Sequence, residues 1–204
     1  MTRPIGYYVH HDGNGHLDRA LSLAPWMKDR LVLLGSNLPE ARADTVPLIS
    51  LASDAPIAGG TDEHCGSVLH YAPLDHSGVR RRVSQIADWI DEAGPSLMIV
   101  DVSVEVAMLA RLASVPYVYV RLSGDRSDVA HQEAFAAARS IMVPFEQRLD
   151  WPEADCSWKS RTFHAPGLVS PPPPRSVVAD TVLVIQGRGG KAVSGEHIAA
   201  AARA

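Results

Sequence analysis

Short apolar runs of strand length, each closed by a glycine, an aspartate or a polar turn, alternate along this chain with segments of helical period. Few architectures satisfy that alternation, because strands buried on both faces and joined by helices pack as a parallel sheet wrapped by those helices. Residues 5–9 form the first run, and Leu17, Ala20, Leu21, Ala24 and Met27 follow on one helical face. Residues 31–34 read as a second strand closed by Gly35, and 46–51 as a third that Pro47 weakens or moves to an edge. Val79, Val83, Ile86 and Ile90 mark one face of a long amphipathic helix that ends at Gly94-Pro95. Residues 97–100 make a buried strand running into Asp101, and Ser103 caps a helix carrying Val104, Ala107, Met108 and Leu112. Pro116 introduces a strand at 117–120, residues 134–139 belong to a further helix, and 141–143 to a short strand. The expectation is an α/β fold, a mainly parallel sheet with helices on both faces.

Two regions break the rhythm. Residues 52–73 show no period and carry Gly59-Gly60 and Gly66, so they read as a long functional loop. Trp151 and Trp158 sit in an irregular stretch expected to pack over the sheet edge. The prolines at 171–174 must be extended and read as a linker. Beyond them the rhythm restarts, with a strand at 181–185, the turn Gly187-Arg188-Gly189-Gly190 and a helix from Ser194. This predicts a domain over residues 1–168, a linker over 169–178, and over 179–204 the opening strand and helix of a second α/β domain. One strand and one helix cannot bury a core, so a longer natural protein is expected.

With 19 basic and 23 acidic residues and a net charge of −4, the chain lacks the basic surface that nucleic-acid binding needs. The run Arg80-Arg81-Arg82 reads as a solvated helix face. Cys65 and Cys156 have no CxxC spacing and read as reduced thiols rather than a disulfide framework or a zinc site. No signal-peptide pattern opens the sequence, and no run approaches the roughly 20 apolar residues of a membrane helix. A cytoplasmic protein is expected, with room for peripheral membrane association.

The chemistry concentrates at predicted carboxyl ends of strands, where open α/β sheets bind their ligands. Gly13, Asn14, Gly15 and His16 occupy the first such loop; the glycines permit close backbone approach, and the helix start behind them favours polar oxygens. His16 is either a helix-start residue bonded to backbone or a general base for a hydroxyl. Asp101 either caps and turns or supports that imidazole. His10, His11 and Asp12 could form a metal cluster with His16, but adjacent histidines on a strand point to opposite faces, so no metal is expected. The loop from Arg121 to Asp128, with Gly124 and Arg126, and then His131, either touches ligand or locks loops by arginine–carboxylate pairs. Gly187-Arg188-Gly189-Gly190 suits phosphate recognition by backbone N–H groups. The dinucleotide fingerprint is incomplete, since Asp18 stands where its third glycine belongs.

The N-terminal strand followed by Gly13-Asn14-Gly15-His16-Leu17-Asp18-Arg19-Ala20 resembles the Gly-rich motif of GT-B glycosyltransferases, especially the group of the peptidoglycan-precursor N-acetylglucosaminyltransferase. Residues 99–105, residues 110–116, Gly124-Asp125-Arg126 and the proline-rich passage into 182–190 add to the resemblance, which runs end to end through short motifs. It implies two Rossmann-like halves, of which the first binds the acceptor and the second a nucleotide-diphosphate sugar, with hexosyl transfer and no metal or other cofactor. In that scheme His16 and Asp101 are catalytic. Gly13, Asn14, Gly15, Arg19, Gly124, Arg126 and Asp128 bind a small or lipid-linked acceptor, and Gly187, Arg188, Gly189 and Gly190 hold the donor diphosphate. A non-catalytic binding module is the alternative of another class. A dinucleotide-dependent oxidoreductase is disfavoured by the missing glycine.

Overall fold

The computed structural model describes residues 2–11, 14–39, 45–56, 68–150, 157–168 and 195–201. Seven strands form one sheet: β1 (Ile5–Tyr8), β2 (Leu31–Gly35), β3 (Leu48–Ser50), β4 (Leu97–Asp101), β5 (Tyr117–Val120), β6 (Ser140–Val143) and β7 (Thr162–His164). Their order is β3-β2-β1-β4-β5-β6-β7 and every pairing is parallel. This is a Rossmann-like α/β sheet. The chain leaves β1 toward β2 and leaves β4 toward β5, so the adjacent carboxyl ends of β1 and β4 diverge and open a crevice.

Helices cover both faces, as the right-handed crossover rule requires. Helix α1 (Gly15–Met27) packs through Ala20 on a layer of Tyr7, Leu33, Ile99, Val120 and Met142. Helices α2 (Ser77–Ala93), α3 (Val104–Leu112) and α4 (Val129–Ala137) cover the opposite layer. There Leu34, Tyr8, Val100, Tyr119 and Ile141 stand in one register row across five strands. Neighbouring residues on each strand serve opposite layers, the period of two that makes the central strands apolar throughout. Ser103 caps α3 by accepting from the Val106 N–H at 3.3 Å, and Asp128 caps α4. Gly94 closes α2 at φ 53°, a left-handed turn that favours glycine. Gly6 serves another end: a Cβ there would lie 2.4 Å from Met98 Sδ and 2.7 Å from the Trp89 ring, so its bareness lets α2 seat on β1.

Three expectations change. Arg82 is not on a solvated face: it is 5% exposed and turned into the protein, while Val83 of the anticipated apolar stripe is largely exposed. Its guanidinium donates to Tyr8 Oη, Asp54 Oδ2 and Ser36 Oγ, each at 2.6 Å, and to the Ala52 carbonyl at 3.0 Å. A buried cation needs such a set of partners, and here they come from β1, the segment after β2 and the segment after β3. Second, the stretch around Trp158 does more than pack: Thr162–His164 adds a seventh strand at the edge, and Trp158 is buried against Phe135 at 5.0 Å between ring centres. Third, the strand at 46–51 shortens to Leu48–Ser50, at the edge that Pro47 allows. The linker 169–178 and the strand at 181–185 lie outside the described residues; of the region beyond them, helix α5 (Gly195–Ala201) is described.

Arg82→Met keeps the volume and removes every one of these donors, leaving the Asp54 carboxylate without its arginine and, among the described residues, with only His11 beside it. Breaking such a pair from one side costs about 3 kcal/mol. Urea unfolding of the variant should show that loss with helical content unchanged.

Candidate active site

Asp101 ends β4 at the diverging strands and is fully buried, 0% exposed. A carboxylate in that position must be paired or lose its charge. Tyr7 Oη donates to Oδ2 at 2.9 Å from β1, and Arg19 of α1 donates to the same oxygen. Burial and the neighbouring carboxylate hold the Tyr7 phenol far above its ordinary range, so it remains a donor. His16, one residue into α1, brings Nδ1 to 3.0 Å from Oδ1. Oδ1 has no hydrogen bond in this ring orientation, so the contact is an ion-pair approach rather than an aligned bond. Arg19 Nη1 lies 3.4 Å from the same Nδ1, a looser contact than the carboxylate makes. The carboxylate calls for a proton on Nδ1, whereas Arg19, which can only donate, calls for a bare nitrogen there, so the two neighbours pull the tautomer in opposite directions.

Val102 follows Asp101 at φ 58°. For a β-branched residue that left-handed conformation costs of order 1–3 kcal/mol. Backbone strain of this kind gathers at ligand-binding positions, and here it turns the chain from β4 into α3 within two residues.

Past β1 the chain leaves the strand, and His10 and His11 stack at 4.7 Å with planes 14° apart. The expectation that they point to opposite faces fails because pleating ends at Tyr8. His10 also faces the His16 ring at 5.4 Å, and His11 Nδ1 lies 3.5 Å from Asp54 Oδ1. Among the described residues no group of three or more His, Cys, Asp or Glu side chains is placed to hold a metal ion.

His10 and His11 border a pocket of about 430 Å³ on the α2–α4 side of the sheet. Val79, Ile86, Val106, Leu109 and Phe135 give it apolar walls, and Tyr8, Glu105, Tyr119, Arg126 and His131 contribute polar groups. Glu105 Oε1 accepts the backbone N–H groups of His70 and Tyr71 at 2.7 and 2.6 Å, which fastens that segment of the long loop across α3. The volume and the mix of apolar wall with few polar groups suit a small organic ligand.

Of the residues singled out from sequence, His16, Arg19 and Asp101 come together. Asn14 and Gly15 are exposed at the start of α1, and Gly13, Gly187, Arg188, Gly189 and Gly190 lie outside the described residues. Arg126 reaches the pocket, Gly124 turns its loop at φ 118°, and Arg121 pairs with Asp150 while also lining the pocket. Asp128 is occupied within the protein, accepting from the His131 N–H at 3.1 Å and standing 2.7 Å from His131 Nδ1. Sequence reasoning missed Tyr7, Arg82, Glu105 and Tyr119. Each is a residue type common in cores or on helix surfaces, and only long-range contact distinguishes it.

No family model and no curated protein sequence matches the chain. Solved structures do. A UDP-glucosyltransferase from Polygonum tinctorium capable of glucosylating indoxyl superposes with a TM-score of 0.54 at 13% identity, over 88% of this chain and 56% of that one. UGT2 of Phytolacca americana, complexed with UDP-2-fluoro-glucose and pterostilbene, gives 0.46 at 15% identity over 74% and 49%. MurG of Acinetobacter baumannii gives 0.48 at 11% over 75% and 44%. The chain spans about half the length of these structures. At such identities the likeness to the first establishes the fold, which agrees with the one its sequence resemblance implies. No helix among the described residues is long and apolar enough to cross a membrane.

Burial pushes the His131 imidazole below its ordinary pKa, and Asp128 only partly offsets this. Because the folded value lies below the unfolded one, protons bind the unfolded chain better. Stability from this group is therefore full above the ordinary imidazole range and falls as pH drops through it. Melting temperature should decline from about pH 7.5 to about pH 5.5, and His131→Gln should flatten that decline.

Proposed function

We propose that the protein transfers a hexosyl group from a nucleotide-diphosphate sugar to a hydroxyl acceptor, and that this chain supplies the acceptor side. The observation that carries the reading is the buried Asp101 carboxylate with His16 Nδ1 at 3.0 Å, beside a pocket of small-molecule size. With Tyr7 and Arg19 fixing Oδ2, Oδ1 faces Nδ1; in this reading the carboxylate, nearer than Arg19, outweighs it and keeps the proton on Nδ1, with Nε2 basic. In this scheme Nε2 takes the proton of the acceptor hydroxyl as its oxygen bonds to the anomeric carbon. The bond from that carbon to the diphosphate breaks, and its electron pair leaves with the diphosphate. Asp101 stabilises the imidazolium that results.

The acceptor is a small molecule in the pocket rather than a lipid chain, since the walls enclose a volume for a compact ligand. Residues 1–168 form the acceptor domain in this reading and 169–178 the linker. The donor contacts fall to Gly187, Arg188, Gly189, Gly190 and a second domain. The likeness to a UDP-glucosyltransferase over most of this chain supports the assignment, as does the incomplete dinucleotide fingerprint at Asp18.

General-base help is worth about a hundred- to ten-thousand-fold in rate. Steady-state kinetics on the full-length protein, with a UDP-hexose and a phenol, should show His16→Ala lowering kcat by that order with donor KM little changed. Asp101→Asn should cost less. Unchanged turnover in His16→Ala would remove the histidine from the chemistry.

A further inference from the structure

Four tyrosines of the sheet interior have buried rings, and three hydroxyls find partners: Tyr7 on Asp101, Tyr8 from Arg82, and Tyr117 on the Ala134 carbonyl. The fourth does not. Tyr119 is 1% exposed, lines the pocket, and its hydroxyl has no hydrogen-bond partner among the described residues. Burying a hydroxyl without a partner costs roughly 1–3 kcal/mol, and a phenylalanine would fill the same place without that cost.

His131, 5% exposed, lines the same pocket and shares a neighbour with Tyr119: both rings contact Phe135, at 5.1 Å for Tyr119 and 6.0 Å for His131. His131 Nδ1 lies 2.7 Å from Asp128 Oδ2, so the N–H belongs on Nδ1 and Nε2 is left as an acceptor. Asp128, His70 and Arg126 are the charged or titratable groups around that ring, and burial dominates over all of them, keeping it neutral. Burial likewise keeps the Tyr119 phenol protonated.

We infer that Tyr119 and His131 form a polar subsite that binds a neutral hydroxyl or carboxamide of the acceptor, at the end opposite the hydroxyl that reacts. Tyr119 O–H donates to the incoming oxygen, and His131 Nε2 accepts its proton-bearing side. The inference rests on the pocket being the acceptor site. The register sets the span: Tyr8, Val100 and Tyr119 are partners in one row, so β1 and β5 stand two strand spacings apart, about 10 Å. His10, just past β1, faces His16, so the reacting end lies on the β1 side and the subsite on the β5 side. The remaining wall is largely apolar, with Val79, Ile86, Val106 and Leu109 alongside the polar Glu105 and Arg126. The ligand class that fits is a compact, rigid apolar body of biaryl size with a polar group at each end.

The test is calorimetric titration of the full-length protein with two probes, para,para′-dihydroxybiphenyl and para-hydroxybiphenyl, in wild type and Tyr119→Phe. Wild type should prefer the diol about three- to tenfold, the worth of one neutral hydrogen bond. Tyr119→Phe should cut that preference to the symmetry factor of the diol and melt no lower than wild type. Equal preference in both proteins overturns the inference, as does failure of wild type to bind either probe. Since binding is read without turnover, a retained diol preference in a protein that transfers no sugar would sink the proposed function alone. Turnover without the preference would sink the subsite alone.

Discussion

The carboxylate of Asp101 is the group around which the site is arranged. It sits at the carboxyl end of a central strand, out of water, where an unpaired charge would cost far more than a small domain can tolerate. Its partners arrive from separate parts of the chain: Tyr7 from the adjacent strand, Arg19 and His16 from the first helix. Pairing the charge therefore also fixes the helix against the sheet and holds the imidazole at the crevice. Two cationic or donor groups on one oxygen leave the other oxygen for His16, which is how a structural requirement becomes a chemical orientation.

The sheet then divides the labour between its faces. On the α1 side lie the proton-handling residues; on the α2–α4 side lies the apolar pocket. The two meet only over the strand ends, through the stacked His10 and His11 and the strained turn at Val102. Arg82 holds this rim from the pocket side, joining Tyr8, Ser36, Ala52 and Asp54 to α2. The segments after β2 and β3 also bond to each other, Leu51 N–H to the Gly35 carbonyl and Ser36 Oγ to the Ala52 carbonyl, and Gln85 of α2 accepts from the Ala52 N–H.

The sheet was legible in the sequence because strands buried on both faces must be apolar throughout, and runs such as 97–100 and 117–120 have no other stable use in a protein of this length. Capping by Ser103 and the stop at Gly94 were equally local and equally legible. Arg82 was not, because an arginine in a run of three on an amphipathic helix has the look of a solvated face. What buries it are partners 28 to 74 residues away. The stacking of His10 on His11 was misjudged by extending the strand period past Tyr8. Strand β7 is three residues long, too short to show a period. Position at strand ends pointed to His16 and Asp101, while Tyr7 and Tyr119 resembled any other core aromatic until their hydroxyls could be followed.

The proposed chemistry needs Asp101 to outweigh Arg19 at His16 Nδ1, setting the proton there and leaving Nε2 bare to act as base. A long-range nitrogen–proton correlation spectrum of the imidazoles at neutral pH reads this directly. The wild-type protein should give a His16 signal with Nδ1 protonated and Nε2 unprotonated, and Asp101→Asn should lose that bias. A His16 ring protonated on Nε2 in the wild-type protein would contradict it.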